Sequence, residues 1–264
     1  MDKASVGGVV LGLSGIVGGL LIEGGSLSQV MQPTAAMIVV GGTMGAVLLQ
    51  FPLPVVFSAF GRLVQVFFEP THSPRETIAE LVRYGNQARR NGIVSLDEQM
   101  AKSEDPFMKK SLMLAIDGTE PHELRKMMEL ELDNRAEREE QIPQVFEAAG
   151  GFSPTIGIIG AVLGLIQVMQ HLDKINEVGK GIAVAFVATI YGVGLANLFF
   201  LPTAGKLKIR LREEQVVREM TLEGVISILE GMNPRMLETK LLGFLAEAKG
   251  KEKEEEGSRE EVSV

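Results

Sequence analysis

The chain has 264 residues, 45% of them hydrophobic and 23% charged, with a net charge of −8 and no cysteine. The missing cysteine excludes a disulfide framework and any thiolate metal site, the histidines (His72, His122, His171) show no ligand spacing, and the acidic balance argues against a nucleic-acid partner. A mean hydropathy of +0.18 beside that much charge requires apolar and charged residues to occupy separate blocks, and residues 4–22, 33–50, 149–170 and 181–202 indeed hold no Asp, Glu, Lys or Arg.

Each block is of the length a helix needs to cross a bilayer, roughly 20 residues. The first is longer than a signal-peptide core and shows no cleavage signal, so it reads as a retained span. Its glycines recur at spacings of four (Gly8/Gly12, Gly15/Gly19), as do Gly41/Gly45 in the second block and Gly160/Gly164 in the third. Such spacing lets helices approach closely, within one chain or between subunits. Residues 1–51 thus hold transmembrane helices 1 and 2. Residues 52–68 open with Pro52 and Pro54 and contain Arg62, which suits an amphipathic helix at the membrane surface rather than a fifth span.

Residues 69–147 read as a helical cytoplasmic domain. Ser73-Pro74-Arg75-Glu76 is a capping box with proline at the first helical position, and Gly92 is a natural stop. Ser95-Leu96-Asp97-Glu98 repeats the capping pattern. Asp105-Pro106 opens a helix ending at Gly118, and Pro121 opens a longer one with Leu124, Met127, Met128 and Leu132 at helical spacing. Residues 148–202 hold transmembrane helices 3 and 4. Residues 203–249 form cytoplasmic helices over 203–231 and around 235–247, and 250–264 is an acidic tail expected to be disordered. The fold class is all-α: a polytopic membrane protein with four transmembrane helices and a helical cytoplasmic domain. Lys and Arg set its orientation. The loop 23–32 has none, whereas Lys206, Lys208, Arg210 and Arg212 follow the fourth span, so both termini are expected in the cytoplasm.

Ion carriers usually place a carboxylate or another ionisable group in the bilayer, and these spans hold no Asp, Glu, Lys or Arg. Glu23, Glu147 and His171 stand only at the boundaries. Hydroxyls and amides remain: Thr34, Thr43, Ser153, Thr155, Gln167, Thr189, Tyr191 and Asn197. If protons move, a partner helix supplies the acid; otherwise the chain is a passive scaffold. No phosphate loop, nucleophile elbow or HExxH is present, so the expectation is no enzyme, no metal and no cofactor.

Gly150-Gly-Phe-Ser-Pro-Thr-Ile-Gly-Ile-Ile-Gly-Ala-Val-Leu-Gly164 resembles the third span of MotA/PomA flagellar motor stator proteins. Gly181-Ile-Ala-Val-Ala-Phe-Val-Ala-Thr-Ile-Tyr-Gly192, with Ala196-Asn197 and Pro202, resembles their fourth. Gln87-Ala-Arg-Arg-Asn-Gly92 and Ile226-Ser-Ile-Leu-Glu-Gly-Met-Asn-Pro234 are similar to that family's cytoplasmic segments, and the runs in the spans look closest to its MotC branch. The likeness covers residues 1 to about 247.

The resemblance implies a subunit of the bacterial inner membrane, serving motility and chemotaxis, that couples ion flow to torque. It implies a MotB-like partner with an intramembrane Asp, five copies of this chain around two partner helices, and contact with a FliG-type rotor protein. By resemblance Pro154 and Pro202 are the coupling prolines and Thr189 and Ala161 lie at the ion path, where Tyr191 keeps a further hydroxyl nearby. Arg89, Arg90 and Asp97 face the rotor, where the family typically has Glu in place of Asp97, with Glu98 adjacent as the alternative. Plainer roles exist for each: a helix boundary for the prolines, a bond within its own helix for Thr189, a solvated surface for the charges. Ala161 offers no hydroxyl to a dehydrating sodium ion, which points to protons. An ExbB/TolQ-like motor subunit is the alternative, though those chains usually have three spans.

Overall fold

The computed structural model describes residues 2–68 and 73–245. The expected disordered tail over 250–264 lies outside the described residues. The chain divides into two compact units: residues 1–69 with 139–209, and residues 70–138 with 210–264. Two long helices cross the divisions, α8 (Pro121–Gln170) and the continuous stretch Ile175–Leu229.

The first unit is built from apolar helices: α1 (Lys3–Ile22), the short α2 (Leu27–Val30), α3 (Pro33–Gln50), α4 (Leu53–Phe67), the later part of α8, and α9 (Ile175–Leu195). Among the described residues, four helices are long and apolar enough to cross a membrane: α1, α3, α8 and the stretch that begins with α9. Asp2 starts α1. Its carboxylate accepts from the Ala4 and Ser5 amides at 3.0 and 3.3 Å, satisfying donors that the helix leaves unpaired. Lys206 Nζ lies 2.6 Å from the same carboxylate and holds its pKa well below the usual range. The Asp2 amide donates to the Phe67 carbonyl of α4 at 2.9 Å.

α9 does not continue as a regular α-helix. Ala196–Phe200 forms a π-helical turn, and α10 (Leu201–Leu229) follows. Pro202 explains the widening. It lacks an N–H, and its ring would collide with the carbonyl of Leu198 in a regular helix.

Where α8 and α9 meet, backbone touches backbone. A Cβ at Gly192 would lie 2.6 Å from the Ser153 carbonyl oxygen, and one at Gly164 would lie 2.7 Å from that of Gly181. Ser153 Oγ, fully buried, donates across the contact to the Gly192 carbonyl at 3.0 Å. α3 packs against the same pair, burying Ala35, Val39, Thr43 and Val47.

The second unit holds α5 (Pro74–Asn91), a 3-10 turn (Ile93–Leu96), α6 (Asp97–Lys102), α7 (Pro106–Ile116), the start of α8, the later part of α10, and α11 over residues 234–245. The Ser73/Glu76 capping box is formed, Pro74 occupies the first turn, and α5 ends at Gly92 with φ +83°. The expected cap at Ser95 is corrected. Ser95 sits inside the 3-10 turn, where its Oγ donates back to the Gly92 carbonyl at 2.7 Å, and α6 begins at Asp97 without a side-chain cap. The positive φ of Gly92 reverses the chain so tightly that Ser95 reaches the stop of α5 rather than the amides ahead of it.

Large side chains fill this unit's core: Leu81, Tyr84, Leu96, Phe107, Met108, Leu112, Leu124, Met128, Met220 and Ile226 are all at most 2% exposed. Beside the core, Glu223 of α10 joins Arg125 of α8 (2.7 Å) and Lys240 of α11, and Lys240 also reaches Ser227 at 3.1 Å. Burial pushes the Glu223 carboxyl up. The bonds from Lys240 and Arg125 outweigh it and take its pKa below the ordinary carboxylate range.

Candidate ion path and charged contact face

With about 100° between successive residues, α8 presents distinct stripes. Ser153, Gly157, Gly160 and Gly164 face α9, and Ile156 meets α3 at Gly42. Pro154 and Ala161, seven residues apart, share a further stripe that neither neighbour covers fully: both are half-buried, and Ile158 and Leu165 beside them are exposed. Phe186 and Ile190 of α9 are likewise exposed. The unit therefore leaves apolar surface of α8 and α9 open, flanking Ala161 and Thr189.

The hydroxyls on α9 are engaged. Thr189 Oγ1 donates to the Ala185 carbonyl of its own helix at 3.2 Å. Tyr191 Oη donates to the Val30 carbonyl at 2.6 Å and accepts from the Gln32 amide at 3.4 Å. Tyr191 thus fastens the link between α2 and α3 to α9. Pro202 is exposed, directly after the π turn.

Two polar features within the spans were not singled out as site residues. The Thr43 hydroxyl is 1% exposed and has no hydrogen-bond partner among the described residues. The Ser153–Gly192 bond joins two helices. Both residues were visible as polar groups in apolar blocks, but nothing in the sequence says which hydroxyl crosses to another helix. No set of three or more metal-ligating side chains occurs among the described residues.

The second candidate site is a surface. Arg89 and Arg90 lie exposed in the last turn of α5, and Asp97 and Glu98 exposed in the first turn of α6. The 3-10 turn Ile93–Leu96 links the two charged pairs in the chain. It is held firmly: Gln87 Nε2 donates to the Ser95 carbonyl at 2.6 Å, and Leu96 is fully buried in the core. Val94, 66% exposed, stands between the two charged pairs. All four lie in one unit, a different one from that of Pro154, Ala161, Thr189, Tyr191 and Pro202.

The chain is similar to known proteins along nearly its whole length. The sequence pattern of the MotA/TolQ/ExbB proton channel family matches residues 99–220, and that of the Motility protein A N-terminal region matches residues 6–92. Motility protein A of Bacillus subtilis is 34% identical over 249 residues, covering 93% of this chain and 91% of the relative. Chemotaxis protein PomA of Vibrio alginolyticus is 31% identical over 249 residues, covering 94% and 97%. Among solved structures, C. jejuni MotAB superposes with a TM-score of 0.87 at 30% identity, over 92% of this chain and 96% of that one. The flagellar MotAB stator complex of Bacillus subtilis gives 0.83 at 34% identity, over 95% and 99%.

Proposed function

The chain belongs to the MotA/TolQ/ExbB proton channel family as a flagellar motor stator subunit, a multi-pass protein of the inner membrane, and from this premise we propose how its residues divide the work. The charge-free blocks of its four spans hold no Asp, Glu, Lys or Arg, and this observation carries the reading: the group that binds the ion in the bilayer is a carboxylate on a MotB-like partner helix. Several copies of this chain, five in the family arrangement, surround the partner helices. Both termini and the charged unit lie in the cytoplasm, in keeping with Lys206, Lys208, Arg210 and Arg212 after the last span, and α4 lies against lipid with Phe57 and Val64 exposed.

Ala161, Thr189 and Tyr191 border the path. Ala161 gives a sodium ion no oxygen to replace its water, so the coupling ion is the proton. Pro154 and Pro202 shape the helices on either side of the α8–α9 contact and are the points where ion passage becomes movement. Arg89, Arg90, Asp97 and Glu98 bear on a FliG-type rotor protein, whose surface offers matching charges. The chain performs no covalent catalysis. An ExbB/TolQ-like role is disfavoured by the likeness to motility proteins over nine-tenths of the chain.

The test is reconstitution. This chain alone in vesicles should pass no protons; with its cognate partner it should, and Asp→Asn in the partner helix should stop the flux. Conduction by the chain alone would refute the assignment of the acid to the partner.

A further inference from the structure

Continuing the Pro154/Ala161 stripe of α8 by seven residues toward the cytoplasm reaches Glu147. Seven residues return a helix to nearly the same face, about 10 Å further along. Glu147 thus stands directly below Pro154, at the edge of the charge-free block. Its carboxylate lies 2.6 Å from Lys208 Nζ of α10, and the two side chains are 42% and 48% exposed. An ion pair that open to solvent contributes little to stability. The neighbouring carboxylates are committed elsewhere: Asp2 to the start of α1 and to Lys206, Glu139 to Arg62 of α4. Glu147 is the acid that continues the stripe at the membrane edge.

We propose that Glu147 is the ion-release group at the cytoplasmic mouth of the path, with Lys208 as its replaceable counter-charge. The inference rests on the reading that Pro154 and Ala161 border that path. A cation leaving an apolar channel meets a steep drop in attraction unless negative charge awaits it. The carboxylate draws the ion out of the path. Lys208 re-forms the bridge once the ion has gone and competes against its return. Both partners are exposed enough to exchange with water, which a one-way release step needs.

The experiment measures proton flux in vesicles holding the complex of this chain with its cognate partner. E147Q should lower flux about tenfold, the scale on which a charged mouth concentrates its ion. E147D should retain most of it, and K208Q, which removes the charge that competes with the ion, should raise flux above the starting level. Equal losses in E147Q and K208Q would mean the bridge only holds the helices together, and an unchanged E147Q would also overturn the proposal. E140Q, one heptad farther out on the same stripe, is the control: a loss as large as that of E147Q would make the effect one of general surface charge. Size-exclusion profiles check assembly, with E147A as a second neutral variant if E147Q fails to assemble. A161F separates the two layers of the argument. If A161F leaves flux intact, the reading of the path is wrong; if A161F blocks flux and E147Q does not, only the role of Glu147 falls.

Discussion

The two units are held together by opposite means. The charged one buries large side chains around Tyr84, Phe107, Met108 and Met220, as a domain in water must, because removing apolar area from water is its driving force. The membrane one joins α8 to α9 through glycines, a serine and bare backbone, and α1 has no buried residue at all. In lipid there is no gain in hiding leucine from leucine, so close approach and hydrogen bonds between helices do the work. One unit closes around a core of large side chains. The other leaves Leu13, Ile158, Leu165 and Phe186 exposed, surface for lipid, a partner helix and neighbouring subunits.

If this contrast is right, substitutions should obey different rules in the two units. The largest effect is expected from Gly192→Leu. A side chain there overlaps the Ser153 carbonyl, which cannot move aside as a side-chain tip would, so assembled protein in membrane immunoblots and swimming should both be lost. Normal assembly of that variant would break the comparison from the membrane side. Next comes Leu112→Ala, fully buried in the core of the charged unit, which should cost about 2–5 kcal/mol. Thermal unfolding of the purified complex measures it, and a loss below about 1 kcal/mol would mean that core is not the one described.

Glu223 gives a smaller, pH-dependent effect. Its pKa is depressed by Lys240 and Arg125 against the pull of burial. The stabilisation it contributes is therefore present above the unfolded value, about pH 4.3, and is lost as pH falls through its lower folded value. Unfolding temperature followed across that window should decline in the parent chain, and E223Q should lack this share of the decline. An identical slope in both would remove Glu223 from the network. The smallest effect is Ser153→Ala. One hydrogen bond between membrane helices is worth about 0.6 kcal/mol, so resistance to denaturation in detergent should change only slightly, and a large loss would show that the glycine contacts depend on the serine.

Much of this architecture is legible in the sequence because the membrane writes it in blocks. Charge-free stretches gave the four spans, and Ser73-Pro74-Arg75-Glu76 with Gly92 gave both ends of α5. What stayed hidden depends on distance rather than order. Ser95 looked like a cap, yet the turn at Gly92 aims its hydroxyl backward. Tyr191 stood as a path residue, and only the fold reveals that its hydroxyl is tied to Val30. The π turn before Pro202 has no sequence signal beyond the proline itself. The assignment of Arg89, Arg90, Asp97 and Glu98 to rotor contact rests on family likeness alone, while the fold adds the exposed Val94 between the two pairs.

The central claim is that this chain lets a partner's acid carry protons and turns their passage into torque. The most direct test is swimming speed in a host lacking its own stators, given this chain and its cognate partner, with sodium titrated at fixed pH and an uncoupler added at the end. The account predicts a speed that ignores sodium and collapses with the uncoupler. A speed that follows sodium and survives the uncoupler would contradict it.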